Sequence, residues 1–188
     1  MGKLTFLLGG ARSGKSSYAQ KLAQQSGRSV TFIATAQALD DDMSARIKKH
    51  QGGRPAAWTT LEIPLNITEH LRAEPIKTEV VLLDCITLLA NNLFMPFVKD
   101  DLVDEKQAMQ AVHKEVNDLL ACIREGKGDW IVISNEVGLG VVPAFQMGRA
   151  YRDILGWANE RLAREADEVY WMVAGIPVPI GQFRKQNS

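Results

Sequence analysis

Short apolar runs recur along the chain and outline its predicted sheet. They are rich in β-branched residues and continuous rather than alternating, which is typical of strands buried on both faces of a parallel sheet. Segments with helical periodicity separate them, and this alternation predicts an α/β fold with a mostly parallel sheet. The five runs are residues 4–8, 29–34, 80–84, 130–134 and 168–174.

Two long segments between these runs carry apolar residues at helical spacing. The apolar face of residues 104–125 consists of Met109, Val112, Val116, Leu119, Leu120 and Ile123. The face of residues 148–165 consists of Tyr151, Ile154, Leu155, Ala158 and Leu162. Both faces are expected to pack on the sheet. Because no linker or repeat divides the chain, residues 1–188 are expected to form one domain, with a frayed polar tail at 181–188.

The first apolar run leads directly into Gly9-Gly-Ala-Arg-Ser-Gly-Lys-Ser16, which has the pattern G-x-x-x-x-G-K-[ST] of a phosphate-binding loop. A helical stretch follows from Ser16 to Gln24, so the strand–loop–helix context that the motif requires is present. Backbone N–H groups of such a loop surround phosphate oxygens. Lys15 is expected to reach the β- and γ-phosphates, and the Ser16 hydroxyl to bind Mg²⁺. A nucleoside triphosphate is therefore the predicted ligand.

Polar residues follow two further predicted strands, at the edge of the sheet where ligands bind. Asp84 ends an apolar run in the manner of a Walker B carboxylate, which holds Mg²⁺ beside the loop serine. The alternative is that Asp84 caps the helical stretch that follows it. Asn135-Glu136 comes after the run 130–134, and Glu136 is either a group that positions a nucleophile or part of a polar turn.

Residues 40–53 read as a helix with aspartates at its start, lysines at its end and a Gly52-Gly53 stop. His50 lies near its C-terminus among four cations, Arg46, Lys48, Lys49 and Arg54. Like charges favour a neutral imidazole, which can attack an α-phosphorus. The helix C-terminus favours the charged form instead. From the residues alone an exposed cap histidine is the favoured interpretation, and a nucleophile is the alternative.

The composition limits which partners, cysteine chemistry and location are expected for the chain. The chain has 22 basic and 22 acidic residues, so no general nucleic-acid or membrane surface is expected. Cys85 and Cys122 form no C-x-x-C pair and are expected to be buried, reduced thiols. No signal segment or window of about 18 apolar residues is apparent, so a cytoplasmic location is expected.

These stretches together resemble the bifunctional adenosylcobinamide kinase / adenosylcobinamide-phosphate guanylyltransferase family of cobalamin biosynthesis. The resemblance covers nearly the whole chain. Beyond the loop at 9–16, it is carried by Ile33-Ala34-Thr35-Ala36, Arg46-Ile47, His50-x-x-x-Arg54-Pro55, Trp58…Glu62, Leu83-Asp84-Cys85-Ile86-Thr87, Ser134-Asn135-Glu136-Val137-Gly138, Tyr151-Arg152-Asp153…Asn159-x-Arg161-Leu162 and Ala166-Asp167-Glu168-Val169…Gly175-Ile176-Pro177.

The resemblance implies phosphorylation of adenosylcobinamide by ATP or GTP. It further implies transfer of GMP from GTP, through a guanylylated His50, to adenosylcobinamide phosphate. Catalysis would involve His50 and Lys15, with Mg²⁺ at Ser16 and Asp84, in a RecA-like P-loop sandwich of three layers that assembles as a homotrimer. The implied nucleotide contacts are Gly9, Gly10, Ala11, Arg12, Ser13, Gly14, Lys15, Ser16, Ala34, Thr35, Ala36, Gln51, Gly52, Gly53, Arg54, Glu62 and Asp84.

Two other functions compete with this one. A simple P-loop kinase for a small molecule would leave His50 as a cap. A GTP-dependent switch is disfavoured because the chain lacks an N-K-x-D guanine-recognition motif.

Overall fold

One large sheet organises the protein, and the computed structural model describes residues 2–37 and 54–186. In these two ranges seven strands form one sheet in the order β3-β2-β4-β7-β1-β8-β9, and β5 and β6 form a separate hairpin. Neighbours in the large sheet are parallel except β8 and β9. The strands are β1 Leu4–Gly9, β2 Val30–Ala34, β3 Thr59–Glu62, β4 Val80–Asp84, β5 Val98–Lys99, β6 Leu102–Val103, β7 Asp129–Asn135, β8 Glu168–Val173 and β9 Ile176–Pro179.

Helices cover both faces of this sheet, so the predicted three-layer α/β fold is confirmed. Alternate residues of each central strand enter different cores: Phe6 packs with the larger helical layer, whereas Leu7 packs in the core beneath α1. This double burial explains why the strands read as continuous apolar runs. The helices are α1 Lys15–Gln25, α2 Ile67–Ala73, α3 Ile86–Phe94, α4 Glu105–Glu125 and α5 Gln146–Glu165, with 3-10 turns at Met95–Phe97 and Gly181–Gln186.

The two long predicted helices are present with nearly the expected bounds. Asp104 caps α4 by accepting a 3.1 Å hydrogen bond from the Gln107 backbone N–H. The predicted apolar faces of α4 and α5 are buried, apart from Met109 and Tyr151, which pack against the core while partly exposed.

Two expectations need correction. The tail was expected to fray, but Gly181–Gln186 forms a 3-10 turn, in which the Phe183 N–H donates to the Ile180 carbonyl. Cys122 is only partly buried, whereas Cys85 is buried, and both thiols are free. The alternative interpretation of Asp84 as a helix cap is wrong, because Asp84 is the last residue of β4 and Cys85 occupies the cap position of α3.

The β3 and β9 strands and the small hairpin were not predicted. None of the helices in the described part of the chain combines the length and apolarity that crossing a membrane requires.

Candidate active site

Four adjacent strands end at one edge of the sheet and carry the residues of the candidate site. Ala34 pairs in register with Asp84, and Gly9 pairs with Asn135. Alternate residues of a strand share a face. Val80 and Leu82 are in the core beneath α1, so Asp84 continues that face at the open edge. The strand register therefore gathers backbone and side chains that are distant in sequence.

The phosphate-binding loop connects β1 to α1 and packs against the turn between β8 and β9. Gly14 has a φ of 92°, and a Cβ there would lie 3.0 Å from the Gly175 Cα. The Gly175 N–H donates to the Ser13 carbonyl at 2.9 Å. A Cβ on Gly9 would lie 2.6 Å from the Met172 carbonyl oxygen. The two loop glycines are therefore required by conformation and by close packing.

The N-terminus of α1 offers backbone donors to an anion. The first turn contains no acidic residue, and among the described residues no side chain caps it. Partial positive charge accumulates at such a helix end, which favours phosphate.

Lys15 is folded back onto the loop. Its Nζ donates to the Gly9 carbonyl at 2.9 Å, to the Gly10 carbonyl at 2.7 Å and to the Ser13 Oγ at 3.4 Å. The side chain is 6% exposed. Burial lowers the pKa of Lys15, and the neighbouring Cys85 and Asp84 act in the opposite direction. A bound phosphate would replace these three acceptors with stronger, charged ones.

A cavity of about 560 Å³ opens beside this loop. Most of the predicted nucleotide-contact residues that the structure describes line it, including both proposed metal ligands. These lining residues are Ala11, Arg12, Ser13, Gly14, Lys15, Ser16, Ala34, Ala36, Arg54, Glu62 and Asp84. Gly9, Gly10 and Thr35 do not line it. The cavity also includes Ser17, Phe32, Cys85, Leu88, Ile133 and Asn135.

Arg54 contributes a desolvated positive charge to this cavity. Its Cζ lies 3.8 Å from the centroid of the Phe32 ring, an arrangement that fixes the guanidinium plane. Its Nε and Nη1 are buried and have no hydrogen-bond partner within the described residues. Burial lowers the pKa of Arg54, while Asp84 and Glu62 oppose that effect. Donors held in this way match phosphate oxygens.

A second recess of about 420 Å³ adjoins the first and shares Arg54 and Glu62 with it. Its remaining lining residues are Pro55, Ala56, Trp58 and Thr60.

The oxygen donors suit Mg²⁺. Ser16 and Asp84 line the same cavity and provide one hydroxyl and one carboxylate. In the two described ranges, no group of three or more His, Cys, Asp or Glu side chains is arranged to hold a metal. Mg²⁺ commonly needs only one or two protein carboxylates, because substrate phosphates and water complete its octahedron. The donor set therefore fits a magnesium–nucleotide complex.

Thr35 has a different setting from its neighbours Ala34 and Ala36. It is 0% exposed, and its hydroxyl accepts from the Cys85 N–H and donates to the Cys85 carbonyl, both at 2.8 Å. The Asn92 Nδ2 donates to the Thr35 carbonyl at 2.9 Å. The Thr35 side chain thus braces the backbone beside the cavity.

Part of the predicted site lies outside the described residues. This part comprises His50, Gln51, Gly52, Gly53 and the helix predicted at 40–53. Glu136 is described, and its carboxylate accepts a short hydrogen bond from the Gly138 N–H within its own turn.

Phe32 and Ile133 gave no sequence signal for a site, because each appears only as a core residue of an apolar strand. Leu88 appears likewise as an apolar helical residue. Asn135 did give a signal, since it is a polar residue after a buried strand.

Comparison with known proteins agrees with this geometry. The family described as "Cobinamide kinase / cobinamide phosphate guanyltransferase" matches residues 5–180. The chain belongs to this family. It is 44% identical over 174 residues to the bifunctional adenosylcobalamin biosynthesis protein CobP of Pseudomonas aeruginosa, covering 93% of this chain and 95% of that one. It is 42% identical to the protein CobU of Escherichia coli, covering 94% and 99% of the respective chains.

A further relative is CobU of Salmonella typhimurium, which is 39% identical over 182 residues. Among solved structures, the RadB recombinase is similar with a TM-score of 0.46 and 13% identity, covering 90% of this chain and 73% of that chain.

Membership confirms the expected enzyme class. The family description names a kinase that acts on cobinamide and a guanyltransferase that acts on cobinamide phosphate. The site described above contains a predicted phosphate-binding loop beside a cavity, and both kinds of transfer start from a bound nucleotide.

Proposed function

We propose that the protein phosphorylates adenosylcobinamide with ATP or GTP and then transfers GMP from GTP to adenosylcobinamide phosphate, through a covalent intermediate on His50. The product is adenosylcobinamide-GDP. The observation that carries the proposal is a cavity lined by the phosphate-binding loop, Asp84 and Arg54, in a chain that belongs to this family.

Chain connectivity supports the role of His50. It precedes Arg54 by four residues, and Arg54 lines the cavity. Four residues span at most about 14 Å when fully extended. The short separation of His50 from Arg54 along the chain is therefore compatible with direct attack by His50 on a nucleotide bound in the cavity.

In the kinase step, the chain's residues bind and orient the triphosphate. Lys15 and the amides of the loop contact the β- and γ-phosphates, and Arg54 offers further donors. The acceptor hydroxyl oxygen attacks the γ-phosphorus, and the bond to the β–γ bridging oxygen breaks. The nucleoside diphosphate leaves with the bonding electrons, and the hydroxyl proton passes to solvent.

In the guanylyl step, an imidazole nitrogen of His50 attacks the α-phosphorus of GTP. A nitrogen–phosphorus bond forms, the α–β phosphoanhydride bond breaks, and pyrophosphate leaves with the electrons. A phosphate oxygen of adenosylcobinamide phosphate then displaces His50 from the GMP phosphorus, and this restores the free imidazole.

Ser16 and Asp84 would hold Mg²⁺ in both steps. When bound, the ion supplies positive charge that offsets the phosphate oxygens.

A homotrimer is also part of the proposal. The family resemblance supports three subunits, and exposed apolar side chains at Leu139, Val141 and Phe145 support self-association. Sedimentation equilibrium should give three times the chain mass of 20.8 kDa. A monomeric or dimeric mass at micromolar concentration would contradict this part.

The covalent step is tested by incubating the full-length protein with GTP labelled at the α- or the γ-phosphate. We expect retention of the α label only, in a linkage that is labile in acid and stable in base, as for a phosphoramidate. Intact-mass measurement should show one added GMP, and peptide mapping should locate it at His50.

His50→Ala should abolish this retention, and His70→Ala is the matched control because His70 lies in α2 away from the cavity lining. If the wild-type protein retains no α label yet phosphorylates adenosylcobinamide, the protein is a simple kinase. If His50→Ala retains the label, another residue is the nucleophile.

A further inference from the structure

Asn135 ends the strand that separates the phosphate-binding loop from the Asp84 strand. Strand β7 lies between β4 and β1, and Asn135 pairs in register with Gly9. Neighbouring strands are about 4.8 Å apart. Asn135 also lines the cavity, as does Ile133 two residues earlier on the same face of the strand. Its side chain therefore lies between the groups that bind phosphate and the carboxylate that would hold Mg²⁺.

The backbone of Asn135 is fixed from both sides. Its N–H donates to the Thr87 Oγ1 at 2.7 Å, and its carbonyl accepts from the Asn159 Nδ2 at 3.0 Å. The next N–H, of Glu136, donates to the Gly9 carbonyl at 3.0 Å. These bonds tie the end of β7 to the phosphate-binding loop. Because all of them use the backbone, they remain when the Asn135 side chain is changed.

The side-chain amide of Asn135 has no hydrogen-bond partner within residues 2–37 and 54–186. It is half-buried and carries a donor and an acceptor without net charge. An anchored backbone with a polar side chain in the cavity is suited to contact a ligand.

We propose that the Asn135 Nδ2 donates a hydrogen bond to an oxygen of the γ-phosphate and positions that group for transfer. The inference rests on the proposed function. Lys15 Nζ lies 2.9 Å from the Gly9 carbonyl, and Gly9 is the register partner of Asn135. A lysine at this position of the motif contacts the β- and γ-phosphates. The Asn135 amide therefore faces the terminal end of the triphosphate.

The two proposed reactions use this contact differently. In γ-phosphoryl transfer, negative charge is redistributed over the oxygens that Asn135 would contact, so the hydrogen bond acts on the rate of the chemical step. In guanylyl transfer, the reacting centre is the α-phosphorus, and the γ-phosphate keeps its charge throughout. There the same contact contributes mainly uniform binding, which changes KM rather than kcat.

The test compares both reactions in Asn135→Ala, which removes the donor, and in Asn135→Asp, which keeps the side-chain shape but replaces the donor with a negatively charged acceptor. Kinase activity is followed as γ label transferred to adenosylcobinamide, and guanylylation as single-turnover retention of α label on the protein. We expect kcat of the kinase reaction to fall about a hundredfold. The guanylylation rate at saturating GTP should change less than about threefold.

Asn117→Ala is the matched control, since Asn117 lies on the exposed side of α4, outside the cavity lining. It should leave both rates at the wild-type level, and all variants should melt within about 3 °C of the wild type.

Equal losses in the two reactions would overturn the inference, and so would a kinase kcat of Asn135→Ala within threefold of the wild type. A wild-type protein that transfers no γ label to adenosylcobinamide would instead overturn the proposed function on which the inference rests.

Discussion

Replacing Thr35 by valine removes a hydroxyl that closes two buried hydrogen bonds while keeping the shape of the side chain. The Thr35 Oγ1 accepts from the Cys85 N–H and donates to the Cys85 carbonyl, each at 2.8 Å. Thr35 is 0% exposed, so water has no access to replace these bonds. The valine variant therefore leaves the Cys85 N–H without its partner. The Cys85 carbonyl loses one of two hydrogen bonds and keeps the one from the Leu89 N–H at 3.2 Å.

The expected cost comes mainly from the Cys85 N–H. An unsatisfied buried polar group costs about 1–3 kcal/mol, and the loss of one of the two hydrogen bonds of the carbonyl costs less. Thr35→Val should therefore lower the free energy of unfolding by about 2–3 kcal/mol. For a chain of this size, that corresponds to a fall in Tm of roughly 4–12 °C. Thr35→Ser retains the hydroxyl and loses one methyl group, so it should cost only about 1 kcal/mol.

Urea unfolding of the nucleotide-free protein measures these differences, and GTP titration of the same variants provides the second measurement. If Thr35→Val and Thr35→Ser unfold at the same urea concentration, the hydroxyl does not brace the backbone. If Thr35→Val retains full stability but loses GTP affinity, the side chain contacts nucleotide instead, and the stated role is refuted.

Three further perturbations test other parts of the structure. Gly14→Ala should destabilise the protein by about 1–2 kcal/mol and impair GTP binding, because its φ of 92° is unfavourable for alanine. Gly10→Ala serves as the control in thermal melts, because a Cβ at Gly10 would meet no atom within 4 Å. Equal loss of stability in the two variants would contradict the role of the Gly14 conformation. Burial raises the pKa of Cys85 to about 12, so mass spectrometry after iodoacetamide at pH 8 should find the partly exposed Cys122 alkylated first, and the reverse order would be inconsistent with the structure. Burial lowers the pKa of His113 below its ordinary 6.5, so the folded state favours the neutral ring and loses stability as the pH falls below 6.5. His113→Phe should reduce this loss, measured as the difference between the urea midpoints at pH 7.5 and pH 5.0. An unchanged difference would exclude His113 as its source.

The central fold could be predicted from the sequence because its strands are buried on both faces. The strands of the large sheet that were missed are at its edges. Three residues of β3 are exposed, so Thr59–Glu62 contains no apolar run. Strand β9 contains Pro177 and Pro179, which argue against a strand except at an edge, where β9 lies. Local composition does not reveal edge pairing, because a partner strand elsewhere in the chain supplies it.

Residues of the candidate site could be predicted where a sequence motif indicates their chemistry. They could not be predicted where their role depends on packing between distant elements. Lys15 and Asp84 were found from the pattern around them. Phe32 was not, because its role is to hold the guanidinium of Arg54, and that contact joins residues on two different elements. Thr35 shows the converse case. The resemblance implies a nucleotide contact, which stays a prediction, and the structure adds that the Thr35 hydroxyl bonds to the backbone of Cys85.

Asn135 combines a property that the sequence shows with a position that only the fold shows. The sequence identified it as a polar residue after a buried strand, which is a common arrangement that is also found at ordinary turns. Only the strand order β4-β7-β1 places it between Asp84 and the phosphate-binding loop. Only the register with Gly9 places it level with the start of that loop along the strand direction. The register depends on the pairing of β1 with β7, which are more than 100 residues apart in the chain, and the strand order depends also on the pairing of β7 with the distant β4, so no local pattern specifies either property. Its face on the strand, by contrast, follows from simple alternation with Ile131 and Ile133, both in the core beneath α1. A residue's chemistry and face are therefore local properties, whereas its place among the phosphates is set by the fold.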